Sequence, residues 1–299
     1  MKFAAIDIGS NALRLLCANV YPNGNDPPLL RKADLYRVPL RLGDDAFVHG
    51  HISDEKCVNF VKSMIAFRNL MDVCGFVDYR ACATSALRSA DNGPELVQRV
   101  LLTTDIRIEI ISGAEEAELI ALNRLTEGLN GGEYLYIDVG GGSTELTVLS
   151  HGVRGASRSF DIGTVRLKEE LVPEQRWEEM RLWIRQHIPT SPPLVGIGSG
   201  GNINKIYKMI DLPVQSPLSR AQMKRLHDLV SAMSQEERER QLGLRPDRAD
   251  VIHHAGRIYL SVMKWARIRT LYVPQVGLAD GIIHWLYERH VHEHGIPAG

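Results

Sequence analysis

The pattern of apolar and polar positions divides the chain into two runs of elements that open in the same way. Residues 3–8 and 13–20 are apolar, β-prone stretches around a short turn, and a third strand is expected near 29–40. Tyr21 to Pro28 is rich in turn formers and reads as a surface loop. Ser53 reads as the N-cap of a helix from Asp54 to about Val73, with Val58, Val61, Ile65 and Leu70 on its apolar side and Gly75 closing it. A strand follows at 79–83, then a short helix carrying Arg88, a helix opened by Pro94, a strand at 106–111 and a long helix from Ser112. The order β-β-β-α-β-α-β-α restarts at Tyr134. Strands are expected at 134–139, from Leu146 and near 153–160, with a helix at 177–187 and a strand, glycine loop and helix over 194–205. Ser219 and Ser234 look like helix caps, 247–266 like one long helix, 269–273 like a strand, and a terminal helix follows Gly281.

The restart is more than a similar order. Asp7 aligns with Asp138 and Gly9 with Gly140, both at an offset of 131 residues (138 − 7 and 140 − 9). Each pair sits in a strand-turn-strand, Ile6-Asp-Ile-Gly-Ser-Asn11 and Ile137-Asp-Val-Gly-Gly-Gly-Ser-Thr-Glu145. Two such halves are the layout of the actin, hexokinase and heat-shock ATPase superfamily. The expected fold is therefore α/β, with two actin-like (ribonuclease H-like) domains and a cleft between them. The boundaries predicted are 1–128 and 129–280, with a C-terminal helix at about 281–299 returning to the first domain.

At 299 residues the chain has room for about two domains, and 44% hydrophobic with 24% charged residues is ordinary for a globular protein. A formal net charge of −1 supplies no global field for nucleic acid, so any polyanion site must be local. Cys17, Cys57, Cys74 and Cys82 lack Cys-x-x-Cys spacing and read as buried free thiols in a reducing compartment. No leader-like segment opens the sequence and no apolar run approaches the ~20 residues that span a bilayer, so a cytoplasmic location is expected.

The candidate chemistry gathers at the turns. Three glycines at 140–142 let backbone amides approach an anion, and Asp138 before them with Glu145 after them suits the Mg²⁺ that accompanies phosphate. Thr84 and Ser85 stand at a strand end with Arg88 one turn on. From spacing alone Arg88 is equally a phosphate fork or a solvated surface arginine. Ser112 and Glu115 have capping-box spacing, which gives Glu115 a structural task and leaves Glu116 for another. Gly198-Ser-Gly-Gly201 precedes a helix and is a third anion site or, taken alone, a packing turn. His253-His254 has no acidic partner of a metal pair, and His290-x-His292-x-His294 has poor spacing for a shared metal. Packing and a polar helix end are the simpler readings.

Together these segments resemble the exopolyphosphatase and guanosine pentaphosphate phosphohydrolase (Ppx/GppA) family, in a short form without the C-terminal extension of its long members. Ala83-Thr-Ser-Ala-Leu-Arg88, Ile111-Ser-Gly-Ala-Glu-Glu-Ala117, Gly163-Thr-Val-Arg-Leu167, Arg248-Ala-Asp-Val-Ile252 and Leu278-Ala-Asp-Gly281 fit alongside the two hairpins. The Gly198 loop departs from the family's usual Ala/Gly-Ser-Gly-Thr. The resemblance implies hydrolysis of a terminal phosphoanhydride, from inorganic polyphosphate or from the 5′ side of guanosine pentaphosphate (pppGpp). It implies Mg²⁺ as cofactor, with Mn²⁺ as a substitute. Glu116 would be the catalytic base. Asp138 and Glu145 would hold or orient Mg²⁺ and the lytic water, with Asp7 a third metal candidate. Ser10, Asn11, Arg14, Arg88, Gly141, Gly142, Ser143, Thr144 and Gly200 would bind phosphate. Transfer to ADP and homodimer formation stay open, and neither nucleic acid nor membrane is an expected partner. A sugar kinase of the same superfamily needs a longer chain. A sensor that had lost turnover would lack Glu116, Asp138 or Glu145, and all three are present.

Overall fold

Each hairpin grows into its own sheet. The structure is a computed structural model and describes residues 1–23, 26–123, 132–151, 153–188, 194–213 and 216–294. The first sheet contains β1 (Lys2–Ile8), β2 (Leu13–Asn23), β3 (Asp26–Val38), β4 (Asp78–Ala83) and β5 (Ile108–Ile110), in the order β3-β2-β1-β4-β5. Among these strands run α1 (Leu42–His49), α2 (Asp54–Cys74), α3 (Ser85–Ser89) and α4 (Gly93–Thr104), and α5 (Gly113–Ala121) follows β5. The second sheet starts with β6 (Glu133–Val139), β7 (Thr144–Ser150) and β8 (Val153–Phe160), and adds β9 (Val195–Ser199), β10 (Leu218–Ser219) and β11 (Thr270–Tyr272). Its order is β10-β11-β9-β6-β7-β8. Read from the third strand inward, both sheets run third, second, first, fourth; the first sheet then adds its fifth strand, and the second adds β11 and, outside it, β10. The first three strands are antiparallel and the fourth adds in parallel. This is the twice-repeated α/β arrangement expected from the two-fold sequence pattern.

The second sheet carries α6 (Thr164–Lys168), α7 (Glu174–His187), α8 (Gly201–Ile210), α9 (Arg220–Ala232), α10 (Gln235–Leu242), α11 (Pro246–Ala249) and α12 (Ile252–Trp265). The last helix, α13 (Leu278–His294), belongs to the other unit. The compact units are residues 1–123 with 278–299, and residues 124–277. Each has its own core. In the first, α2 lays Phe60, Met64 and Phe67 on the strands through Ala4, Ile6 and Leu15; in the second, α12 buries Ile258, Tyr259 and Val262 against Leu135 and Ile137. Burying each such large apolar side chain is worth about 1.5–3 kcal/mol.

Five local expectations change. Tyr21 to Pro28, expected as a surface loop, is strand over residues 21–23 and again from Asp26. The buried stripe of α2 is Cys57, Phe60, Val61, Met64, Phe67 and Met71, and Val58 and Ile65 face outward. The aromatic and methionine side chains, at helical spacing, bury more area than the branched aliphatics one position away. Ser53 makes no side-chain cap; its hydroxyl and its N–H both donate to Asp45 Oδ2, at 2.5 and 3.0 Å, which holds the side chain toward α1. Helix α1 and the two-residue β10 were not anticipated. The single helix expected over 247–266 is α11 and α12 with a break between them. Arg238 causes it: its Nη1 takes the Ala249 carbonyl at 2.8 Å, the acceptor that a continuous helix would give to the residue four positions on. The same nitrogen lies 3.0 Å from His253 Nδ1. Ser219 and Ser234 form complete capping boxes with Gln222 and Glu237.

Candidate active site

The two hairpin turns close with the same hydrogen bond. Gly9 N–H donates to the Ala12 carbonyl at 3.2 Å, and Gly140 N–H to the Ser143 carbonyl at 2.9 Å, the same 131-residue offset. In each unit the first helix after the third strand then seizes the carbonyls of the turn. In the first unit Arg41 N–H donates to Asn11 O at 3.1 Å and Gly43 N–H to Ser10 O at 2.8 Å, at the start of α1. In the second, Thr164 N–H donates to Gly140 O at 3.0 Å, Val165 N–H to Gly141 O at 2.8 Å, and Arg166 Nε to Gly142 O at 2.9 Å. Pinning three successive carbonyls turns the amides the other way. Among the described residues no backbone carbonyl accepts from Gly141, Gly142 or Ser143 N–H. Such a run of amides is an anion nest. Gly163 makes the approach achievable, since a Cβ there would stand 2.3 Å from Gly141 O and 2.4 Å from Gly142 C.

The hairpins differ where charge is concerned. Asp138 is directly opposite Glu145 across β6 and β7, and both carboxylates are buried. Ser159, opposite Glu145 on β8, donates to its Oε1 at 2.8 Å. Like charges facing each other across strands are unfavourable unless a cation or donors compensate them. Two buried carboxylates of this kind fit Mg²⁺, which binds through one or two carboxylates and takes its other ligands from phosphate and water. Among the described residues no group of three or more His, Cys, Asp or Glu side chains is placed to share a metal ion. In the first hairpin the position opposite Asp7 is Arg14, whose Nη1 lies 2.5 Å from Asp7 Oδ2. Asp7, a metal candidate from its alignment with Asp138, thus has a cation of its own chain beside it. Arg14, a phosphate candidate, spends one nitrogen there.

Behind Asp138 the second sheet is closely packed. Gly200, at the N-terminus of α8, has φ +103°, and a Cβ there would lie 2.8 Å from Asp138 Oδ1, so only glycine lets α8 start beside the carboxylate. Tyr136 is hydrogen-bonded to the Ser199 hydroxyl, and Tyr259 OH donates to Ser199 O at 2.6 Å. Both phenols are pushed well above their ordinary pKa, by burial first and by the Asp138 charge next. They remain neutral beside the acid. Thr144, a phosphate contact by the family resemblance, gives its hydroxyl hydrogen to Ile162 O at 2.5 Å and is fully buried.

In the first unit, Ser10 and Ser85 bring their hydroxyls 2.9 Å apart, joining the hairpin turn to the start of α3. Arg88, exposed at the end of α3, donates from Nη1 to Ile111 O at 2.5 Å, just before α5. At the start of α5, Ser112 Oγ accepts from Glu115 N–H at 3.1 Å. The reciprocal half of the expected capping box is not formed, because the Glu115 carboxylate accepts from Arg80 Nη2 at 2.9 Å. Glu116, one residue on, is 9% exposed. The structure thus joins Ser10 to Ser85 and Arg88 to the turn before Glu116 within the first unit. It joins Asp138, Glu145, Gly141, Gly142, Ser143 and Gly200 within the second. Sequence reasoning missed Gly163, Arg166 and Ser159 as supports. The only sequence signal for the first two was their place in Gly163-Thr-Val-Arg-Leu167.

The rings of His253 and His254 lie 3.9 Å apart and tilted by 38°, and His290 and His294 stack at 4.1 Å one helical turn apart. Among the described residues no helix is long and apolar enough to cross a membrane.

The model of the Ppx/GppA phosphatase family matches residues 36–290. The chain is 24% identical to exopolyphosphatase 1 of Mycobacterium leprae (strain TN), over 95% of this chain and 88% of that protein. It is 33% identical to exopolyphosphatase 2 of Mycobacterium tuberculosis, over 56% of this chain and 54% of that one. Of solved structures, an exopolyphosphatase from Cytophaga hutchinsonii superposes with a TM-score of 0.81 at 24% identity, covering 100% of both chains. The Ppx/GppA member from Aquifex aeolicus superposes with a TM-score of 0.76 at 23% identity, covering 97% of this chain and 98% of the other. At these identities the structures speak for the fold.

Proposed function

This chain belongs to the Ppx/GppA phosphatase family, a family of phosphoanhydride hydrolases, and we propose that it is an exopolyphosphatase with Glu116 as its general base. One observation carries the reading. The carbonyls of Gly140, Gly141 and Gly142 are pinned by α6 and Arg166, which leaves three amides for an anion beside the Asp138–Glu145 carboxylate pair.

The terminal phosphoryl group rests on the amides of Gly141, Gly142 and Ser143, where preorganised N–H dipoles meet the charge that spreads over its oxygens. Glu116 accepts a proton as water forms the new P–O bond. The bond to the rest of the chain breaks, and the products are phosphate and a polyphosphate one unit shorter. Proton removal of this kind contributes roughly 10²–10⁴-fold in rate. Asp138 and Glu145 would hold Mg²⁺, or Mn²⁺ in its place, which when bound neutralises phosphate charge. Tyr136 and Tyr259, neutral and buried, hold the Asp138 end of β6 against β9 through Ser199.

The test is Mg²⁺-dependent phosphate release from short polyphosphate, long polyphosphate, pppGpp and ATP by the full chain and by Glu116→Gln. Release from polyphosphate that collapses at least a hundredfold in the variant supports the reading. Release from pppGpp alone moves the substrate to the alarmone. Binding without release from any of the four would leave a phosphate sensor. The metal assignment has a separate readout. Mg²⁺ should raise the melting temperature of the wild type, and Glu145→Gln should remove that increment.

A further inference from the structure

We propose that Arg80 is a positioning residue for Glu116, locked in place by the C-terminal helix, so that α13 is part of the catalytic apparatus; this rests on Glu116 being the base. Arg80 is a charged side chain inside the first unit, 8% exposed. It ends in a divided fork. Nε and Nη2 clasp Glu109 of β5 at 3.1 and 2.7 Å, and Nη2 also reaches Glu115 Oε1 at 2.9 Å. Glu115 is the third residue of α5, and its amide is held by Ser112 Oγ. The first turn of α5 is therefore fastened by side chain and backbone at the residue next to Glu116.

The opposite face of the guanidinium is covered from α13. Trp285 stacks under Arg80 with the guanidinium carbon 4.1 Å from the ring centroid. Its ring also meets Arg289, at 4.6 Å, and Arg289 is ion-paired with Asp78 at the start of β4. One indole thus lies against two guanidiniums, each tied to a carboxylate. Higher on the same helix, Gly281 lies so close to α5 that a Cβ there would be 1.9 Å from Leu119 O. Helix α13 touches both ends of α5, through the Arg80–Glu115 pair at its start and through bare backbone near its end. A general base needs its carboxylate held to a fraction of an ångström, and a displacement of about 1 Å can cost 10²-fold. Lysine in place of Arg80 would keep the charge and lose the fork that reaches two carboxylates at once.

The experiment measures amide hydrogen exchange and steady-state phosphate release on the full chain for Arg80→Lys, Trp285→Ala and Trp285→Phe. The expected result is faster exchange at residues 115–117 in Arg80→Lys and Trp285→Ala, larger than any change in α4 exchange. In the same variants kcat falls roughly 10–100-fold and KM stays within about twofold. Trp285→Phe, which keeps an aromatic face, recovers most of both properties. Unchanged exchange at 115–117, or faster exchange with undiminished kcat, overturns the proposal. Undiminished turnover in Glu116→Gln would instead overturn the assignment of the base, and the exchange data would still report on the clamp.

Discussion

Replacing Gly163 by alanine adds a single methyl group at the start of α6, and the structure predicts a large functional loss from it. The backbone there has φ −137°, a value any residue adopts, so the effect is steric. The new Cβ would sit 2.3 Å from Gly141 O, where real contacts begin at 3.0 Å, so the strand-turn and the helix must separate by at least 0.7 Å (3.0 − 2.3). The obstructing atoms are backbone and cannot rotate aside. A shift of that size along the bond stretches Val165 N–H to Gly141 O from 2.8 Å toward 3.5 Å, the limit of a hydrogen bond. Overpacking of this order costs about 1–3 kcal/mol. The amides of Gly141–Ser143 move with the turn, and misplacement approaching 1 Å lowers turnover by roughly 10–100-fold. Urea denaturation with phosphate-release kinetics on the folded variant measures both. A Gly163→Ala protein with wild-type kcat and wild-type urea midpoint would refute the anchoring of the glycine turn by α6. A loss of stability with kcat intact would show that the turn is packed by α6 but not positioned by it for chemistry.

Two further outcomes follow from charge. Arg14→Met leaves the buried Asp7 carboxylate without that guanidinium and should cost about 1–3 kcal/mol in urea unfolding; Asp7→Asn in the same chain should recover most of it, and no recovery would mean that Arg14 acts through something other than Asp7. His253 and His254 are pushed down from 6.5 to about 3 and about 4, mainly by burial, then by His254 and Arg238 for the first and by Arg257 and Arg238 for the second. The unfolded chain therefore takes up protons first on acidification. Their contribution is fully present above pH 6.5 and declines as pH falls toward 4, so the urea midpoint should drop between pH 7.5 and 5.5, and a His253→Gln, His254→Gln variant should show a flatter profile. Equal slopes in the two proteins would exclude these rings as the source.

Much of the site was legible because its signals are local. The hairpin around Asp138 announces itself by β-prone residues, three glycines and an acid at a strand end, and the 131-residue repeat of Asp7 and Gly9 gave the two-fold plan. The caps at Ser219 and Ser234 were equally local, a hydroxyl and a partner three residues on. The errors arose where distant groups compete for local ones. Ser53 has the composition of a cap, but Asp45 draws its hydroxyl away. Glu115 has the spacing of a capping box, but Arg80 takes its carboxylate. Residues 247–266 have helical periodicity throughout, and Arg238 interrupts the ladder at Ala249.

The amino-acid sequence by itself determined the two hairpins, their glycine turns and the acids at their strand ends. Those depend on φ/ψ preference and on period-two alternation, which act over a few residues. Only the tertiary structure decided what each group meets. It set Asp138 against Gly200, hung the glycine turn on Gly163 and Arg166, and brought Trp285 onto Arg80 some two hundred positions away in the chain. The physical reason is that a side chain's electrostatic and packing surroundings are fixed by which elements the core brings together, and no local periodicity encodes that choice.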